Sequence, residues 1–129
     1  MEVEKTIIDL EKKALKGWSG GNAKEYFRQG SDDNTYFDNL GATALVIGKE
    51  NILKYAEETF SDLPEHKYEM VGAHVQHYDK TAVLTYQYHP FSLEGEALTK
   101  WTATVVYVQI EGAFTAIHSH WTMLQNPTG

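Results

Sequence analysis

Residues Trp101–Leu124 read WTATVVYVQI-EG-AFTAIHSHWTML, two β-branched apolar runs on either side of Glu111-Gly112. A turn-forming pair between two alternating runs is the signature of a two-residue hairpin. Counting outward from that turn predicts Ile110 opposite Ala113 and Tyr107 opposite Ala116. The same count sets Val105 opposite His118, Ala103 opposite His120 and Trp101 opposite Thr122. Strand side chains alternate, so one face is expected to carry Trp101, Ala103, Val105, Tyr107, Phe114, Ala116, His118 and His120. The other face would hold Thr102, Thr104, Val106, Val108, Ile117, Ser119 and Trp121. Two imidazoles among aromatic and small apolar side chains are what a sheltered pocket requires.

Upstream, Val3, Ile7, Leu10, Ala14 and Trp18 recur at helical spacing, with Ile8 and Leu15 widening the stripe. Gly17 and Ser19-Gly20-Gly21 are expected to stop this helix. Asn22 and Glu25 are spaced as a capping pair for a short second helix carrying Tyr26 and Phe27. A turn at Ser31–Asn34 leads into a strand over 35–38, a break at Asn39-Leu40-Gly41 and a second strand over 43–47. Ile52, Tyr55, Ala56, Thr59 and Phe60 form another stripe that ends before Pro64. Strands are then predicted at about 66–77, 81–89, 98–110 and 113–124. Asp79-Lys80 as a two-residue turn would set His74 against Thr85, Gly72 against Gln87 and Met70 against His89. The acidic groups of the first helix, Glu2, Glu4, Asp9 and Glu11, read with Lys12, Lys13 and Lys16 as solvated surface.

The chain has 129 residues, 42% hydrophobic and 22% charged, and no cysteine. One α+β domain over residues 1–129 is expected, without thiol chemistry, cysteine-based metal sites or disulfides. A net charge of −7 without a basic cluster argues against nucleic acid and anionic membrane surfaces. No signal-peptide-like or membrane-spanning run is present, and a cytoplasmic location is the default expectation.

The order of helix, helix, TYFD, helix and four strands, closing on IHSHW, resembles the nuclear transport factor 2-like superfamily. Its SnoaL-like and ketosteroid isomerase-like members are the nearest in pattern, and the association domain of calcium/calmodulin-dependent protein kinase II is similar too. The resemblance covers nearly the whole chain. It implies a cone-shaped fold, in which a curved antiparallel or mixed sheet wraps the N-terminal helices and encloses a pocket, usually in a homodimer. It also places Asp38 where ketosteroid isomerase has its general-base aspartate. Tyr55 matches a pocket tyrosine of the family. The oxyanion partners of that enzyme have no counterpart, since the matching positions fall at Ala14 and near Ala103 or Thr104. The arginines of the kinase association domain are replaced by Gln87 and Val105, which removes an anion-binding reading.

Two readings stand for most of these residues. Asp38 is either a turn aspartate capping the Asn39–Gly41 loop or a carboxylate raised in pKa by apolar neighbours so that it accepts a proton. His118 and His120 are a satisfied pair, acid/base groups, or two metal ligands awaiting a third from His74, His89 or Asp38. Trp18 and Trp101 are core or ligand platform, with Trp101 favoured for the pocket. Tyr36, two residues before Asp38, would offer its hydroxyl from the same side, and Gln87 and His74 would add polar contacts. For function, a cofactor-independent isomerase, cyclase or hydratase using Asp38, His118 or His120 and Tyr55 stands against a non-catalytic binding or association module. The ligand would be small and hydrophobic or partly polar. Thr102, Thr104, Val106, Val108, Ile117 and Trp121 form a face expected to pair with a second copy.

Overall fold

The computed structural model describes residues 3–124. Helix α1 (Val3–Ser19) is followed by α2 (Ala23–Phe27), β1 (Thr35–Asp38), β2 (Val46–Ile47) and α3 (Lys49–Thr59). Four long strands complete the chain: β3 (Lys67–Tyr78), β4 (Thr81–Phe91), β5 (Trp101–Ile110) and β6 (Ala113–Met123). They form one curved, open six-stranded sheet in the order β2-β1-β6-β5-β4-β3. Every pairing is antiparallel except β1 with β6, which is parallel. The α+β cone expected from the sequence is the fold. No described helix is long and apolar enough to cross a membrane.

The elements follow from their residues, with instructive departures. Ile7, Glu11, Ala14, Leu15 and Trp18 are the buried stripe of α1, at the spacing of one helical face. Gly17 does not stop α1. It lies inside the helix, where any Cβ would collide with the Glu25 side chain, so its bareness lets α2 cross closely. The helix stops at Gly20-Gly21, with Gly21 at a φ of 90° and its N–H bonded to the Trp18 carbonyl at 3.0 Å. Asn22 does occupy the N-cap of α2, but its side chain makes no cap bond, and Glu25 pairs with Arg28 Nε at 2.7 Å instead. The second strand is shorter than expected, only Val46–Ile47.

The Glu111-Gly112 turn is as predicted, with φ of 52° and 85°, the twist a tight hairpin needs. Ile110 faces Ala113 and Tyr107 faces Ala116. One residue later the count fails. Val106, not Val105, faces His118, and Thr104 faces His120, because Ile117 is an extra residue in β6. A bulge of one residue moves everything beyond it to the opposite face. Ser119 and Trp121 therefore point inward beside Val105 and Ala103, and His118 and His120 point outward beside Val106 and Thr104.

A second bulge sits in β3, where Gly72 (φ 66°) and Ala73 share one opposite residue. His74 does face Thr85, but Val71 rather than Gly72 faces Gln87, and Glu69 rather than Met70 faces His89. The inner face of the sheet is Ala82, Leu84, Tyr86 and Tyr88 on β4, Trp101, Ala103, Val105 and Tyr107 on β5, and Ser119 and Trp121 on β6. Against it pack α1, α2 and the buried residues Tyr36, Ile52 and Ala56.

Candidate functional site

Asp38 ends β1 facing inward and is 5% exposed. Its Oδ1 accepts the N–H groups of Leu40, Gly41 and Ala42 at 2.8, 3.2 and 3.1 Å. Its Oδ2 accepts the hydroxyls of Tyr36 at 2.7 Å and Tyr55 at 2.8 Å. Tyr55 in turn receives the N–H groups of Gly41 and Ala42 on its own oxygen, at 3.2 and 3.0 Å. A carboxylate offers about four lone-pair directions, and here they are filled. Burial alone would raise the pKa of Asp38, but the hydroxyls of Tyr36 and Tyr55 and the backbone N–H groups of Leu40 and Ala42 outweigh it and hold the group below its ordinary value. The upward shift that the proton-accepting reading requires is reversed. Asp38 is an anion that clamps the 39–42 loop, and Tyr36 and Tyr55 turn their hydroxyls to it.

His118 and His120 lie across the sheet from Asp38, the consequence of the Ile117 bulge, so the expected pocket of acid and paired imidazoles is not assembled. Both rings sit against Phe37, with centroids 5.6 and 4.3 Å away. His118 Nδ1 is 2.8 Å from the Thr35 hydroxyl. Partial burial and the neighbouring His120 lower the pKa of His118. His74 and Gln87 are exposed on the outer face, where Gln87 Oε1 pairs with His89 Nε2 at 2.8 Å, so neither reaches the interior. Among the described residues, no group of three or more His, Asp or Glu is placed to hold a metal ion.

Trp18 and Trp101 are inside, 8% and 7% exposed, and both line a large cavity. This is a cleft of about 400 Å³ at the mouth of the cone. Its base is aromatic: Trp18 meets Phe60 edge-on at 5.0 Å and Trp101 edge-on at 6.4 Å, and stacks at 6.3 Å on Trp121. Leu63, Pro64 and His66, which follow α3, and Pro90, Leu98 and Thr99, from the end of β4 and the run into β5, complete the lining with Leu40 and Met123. His66 donates from Nδ1 to the Pro64 carbonyl at 2.8 Å, which turns Nε2 to the Tyr88 hydroxyl at 2.6 Å. The sequence reading passed over His66, a single polar residue at the foot of a strand with no periodic context.

Deeper in the cone lies the other residue that the sequence reading misplaced. Glu11 is 1% exposed, not surface. Its Oε2 accepts the hydroxyls of Tyr26 and Tyr86 at 2.5 and 2.6 Å, and its Oε1 accepts that of Tyr107 at 2.5 Å. Burial raises the Glu11 pKa even against those three donors, and pushes the tyrosines well above their ordinary range. Spacing could have found it, since Glu11 is four residues from both Ile7 and Leu15. A chamber of about 40 Å³ adjoins it, lined also by Asn34, Tyr107 and Ser119. Asn34 Oδ1 is buried there with no hydrogen-bond partner.

Comparison with known proteins gives this geometry a family. Residues 10–125 match the model of the SnoaL-like domain. No curated protein matches the chain. Among solved structures, a candidate ketosteroid isomerase from Parabacteroides distasonis is 25% identical with a TM-score of 0.80, over 99% of this chain and 92% of that one. An NTF2-like protein from Pseudomonas putida is 20% identical with a TM-score of 0.80, over 96% and 88%. A CaMKII hub homology domain from Chlamydomonas reinhardtii is 19% identical with a TM-score of 0.77, over 96% and 100%.

Proposed function

This chain belongs to the SnoaL-like family, and from that premise we propose that it binds a small, largely apolar molecule in the cleft between Trp18, Phe60 and Trp101. The observation that carries the reading is the cleft itself, a concave, mostly apolar volume with few polar groups, of the size that small ligands occupy. Isomerase, cyclase or hydratase chemistry through Asp38 would need a base with a free lone pair beside the ligand. The five donors around Asp38, and the sheet that separates it from His118 and His120, favour binding over that reaction.

The test is a fluorescence titration with the neutral probe N-phenyl-naphthylamine. We expect saturable one-to-one binding that quenches tryptophan emission. Leu63→Arg, which sets a long cationic side chain into the cleft wall, weakens it at least tenfold, the effect of an unpaired charge in an apolar site. Non-saturable binding, or an unchanged affinity in that variant, refutes the reading.

A second reading concerns self-association. The outer face presents Thr102, Thr104 and Val106 beside Phe37, His118 and His120, a weakly polar, β-branched and aromatic surface that a monomer would leave to water. We propose that it pairs with a second copy, a reading supported by likeness to hub domains. Trp121, which the sequence pattern assigned to this face, is buried in the core and takes no part. Light scattering at micromolar concentration should give a dimer or larger, and a monomer there refutes it.

A further inference from the structure

The cleft has a charge character that narrows what enters it. Among the described residues its lining includes two titratable side chains, Asp62 and His66, and no lysine or arginine. His66 has both ring nitrogens engaged, by Pro64 and Tyr88, so neither is free to receive an anionic ligand. The nearest cations along the chain, Lys67 and Lys100, lie outside the lining; Lys67 is exposed on β3 opposite Phe91. Asp62 is exposed at the rim, and the base beyond it is the two indoles of Trp18 and Trp101 with the ring of Phe60.

We propose that the cleft selects by charge, taking a flat apolar ligand that is neutral or carries a positive group, and rejecting carboxylates and phosphates of the same shape. Three effects point one way. A carboxylate entering an apolar cleft loses hydration and finds no cation to replace it. A cation entering at the rim gains the Asp62 carboxylate, a modest attraction because that group is solvated. The electron-rich faces of tryptophan favour a cation and disfavour an anion. The net charge of −7 reinforces the same preference at long range. This inference rests on the cleft being the ligand site and specifies its ligand class.

The experiment uses three probes of one shape: naphthylmethanol, naphthylmethylammonium and naphthoate, each titrated into the full chain at neutral pH and low salt, with binding read from ligand NMR signals. The ammonium probe is expected to bind roughly fivefold tighter than the alcohol, and naphthoate at least tenfold weaker than the alcohol. Asp62→Asn should narrow the ratio between ammonium and alcohol, and Asp62→Lys should shift preference toward naphthoate. Raising salt should shrink the ammonium advantage, as screening requires. Equal affinities for all three probes, or naphthoate binding tightest, overturn the charge selection while leaving the cleft as a binding site. Failure of all three to bind overturns the cleft reading itself, and this inference with it.

Discussion

Removing the acceptor at Glu11 should loosen α1 from the sheet. Glu11 ties three elements together through Tyr26 on α2, Tyr86 on β4 and Tyr107 on β5. Glu11→Ala leaves three buried hydroxyls without an acceptor, each worth about 1–3 kcal/mol, and opens a void beside the existing chamber. The lost carboxyl no longer suffers its own burial, which offsets part of that cost. A net loss of about 3–5 kcal/mol is expected, a large share of a typical domain stability of about 5–15 kcal/mol. Glu11→Gln keeps the volume but has one oxygen where the carboxylate had two. Its carbonyl can serve Tyr26 and Tyr86, and its amide must then face the Tyr107 hydroxyl, so a smaller loss of about 1–2 kcal/mol follows.

The pH dependence supplies an independent check. The folded pKa of Glu11 lies above its ordinary value of 4.5, so the unfolded chain releases this proton first. Its contribution is greatest at or below that value and declines as pH rises toward the folded pKa. Glutamine cannot titrate, so the gap between parent and Glu11→Gln should be widest in mild acid and narrow as pH increases. Urea unfolding followed by tryptophan emission and circular dichroism at several pH values measures both quantities. A Glu11→Ala variant within about 1 kcal/mol of the parent would refute the reasoning, being smaller than the cost of one buried unpaired hydroxyl. So would a gap that widens with rising pH.

Asp38→Asn should cost about 1–3 kcal/mol by weakening the clamp on the 39–42 loop, and faster amide exchange at Leu40 and Ala42 would report it. Because the Asp38 pKa is held below 3.8, its contribution is present above that value and fades as pH falls through the folded pKa; an acid unfolding curve that Asp38→Asn leaves unchanged would contradict this. His118, lowered in pKa, should withdraw stability as pH drops below its ordinary 6.5, a slope that His118→Gln removes in the same measurement. Deleting Ile117 should be tolerated, costing under about 3 kcal/mol, because Ala116 and His118 keep their partners and faces once the extra residue is gone. Deleting Ser119 should prevent folding, since Trp121 would turn outward; equal damage from both deletions, seen by circular dichroism, would refute the register described above.

Much of the fold was legible because alternation and turn chemistry are local. The hairpin at Glu111-Gly112, the strand over 35–38 and the stripes of α1 and α3 all follow from neighbours within a few residues. The candidate site was less legible for a particular reason. Nothing in AFTAIHSHWT marks Ile117 as supernumerary, since an isoleucine suits either face, and the choice is made by what Ser119 and Trp121 can bury. A single uncounted residue therefore exchanged the imidazoles for a serine and an indole. Glu11 failed in the opposite way: its position was informative, but its charge suggested solvent, and the three tyrosines that satisfy it are 15, 75 and 96 residues away. Asp38 was visible with two roles, and the loop donors of Leu40, Gly41 and Ala42 fit the capping one.

The parallel seam between β1 and β6 joins Thr35 to His118 and Asp38 to Trp121, and Asn39 extends it by exchanging two hydrogen bonds with the Met123 backbone at 3.0 and 2.8 Å. A ribosome making this chain has emitted three helices and the five strands β1 to β5 before the seam's second half exists. Until then β1 and its small partner β2 lack β6, the strand that joins them to β3–β5, and Trp18 and Tyr26 lack the Trp121 indole that packs on them. Assembly should accordingly wait for the late segment, leaving the nascent chain dependent on chaperones or on its own collapsed helices while the translation of one strand finishes.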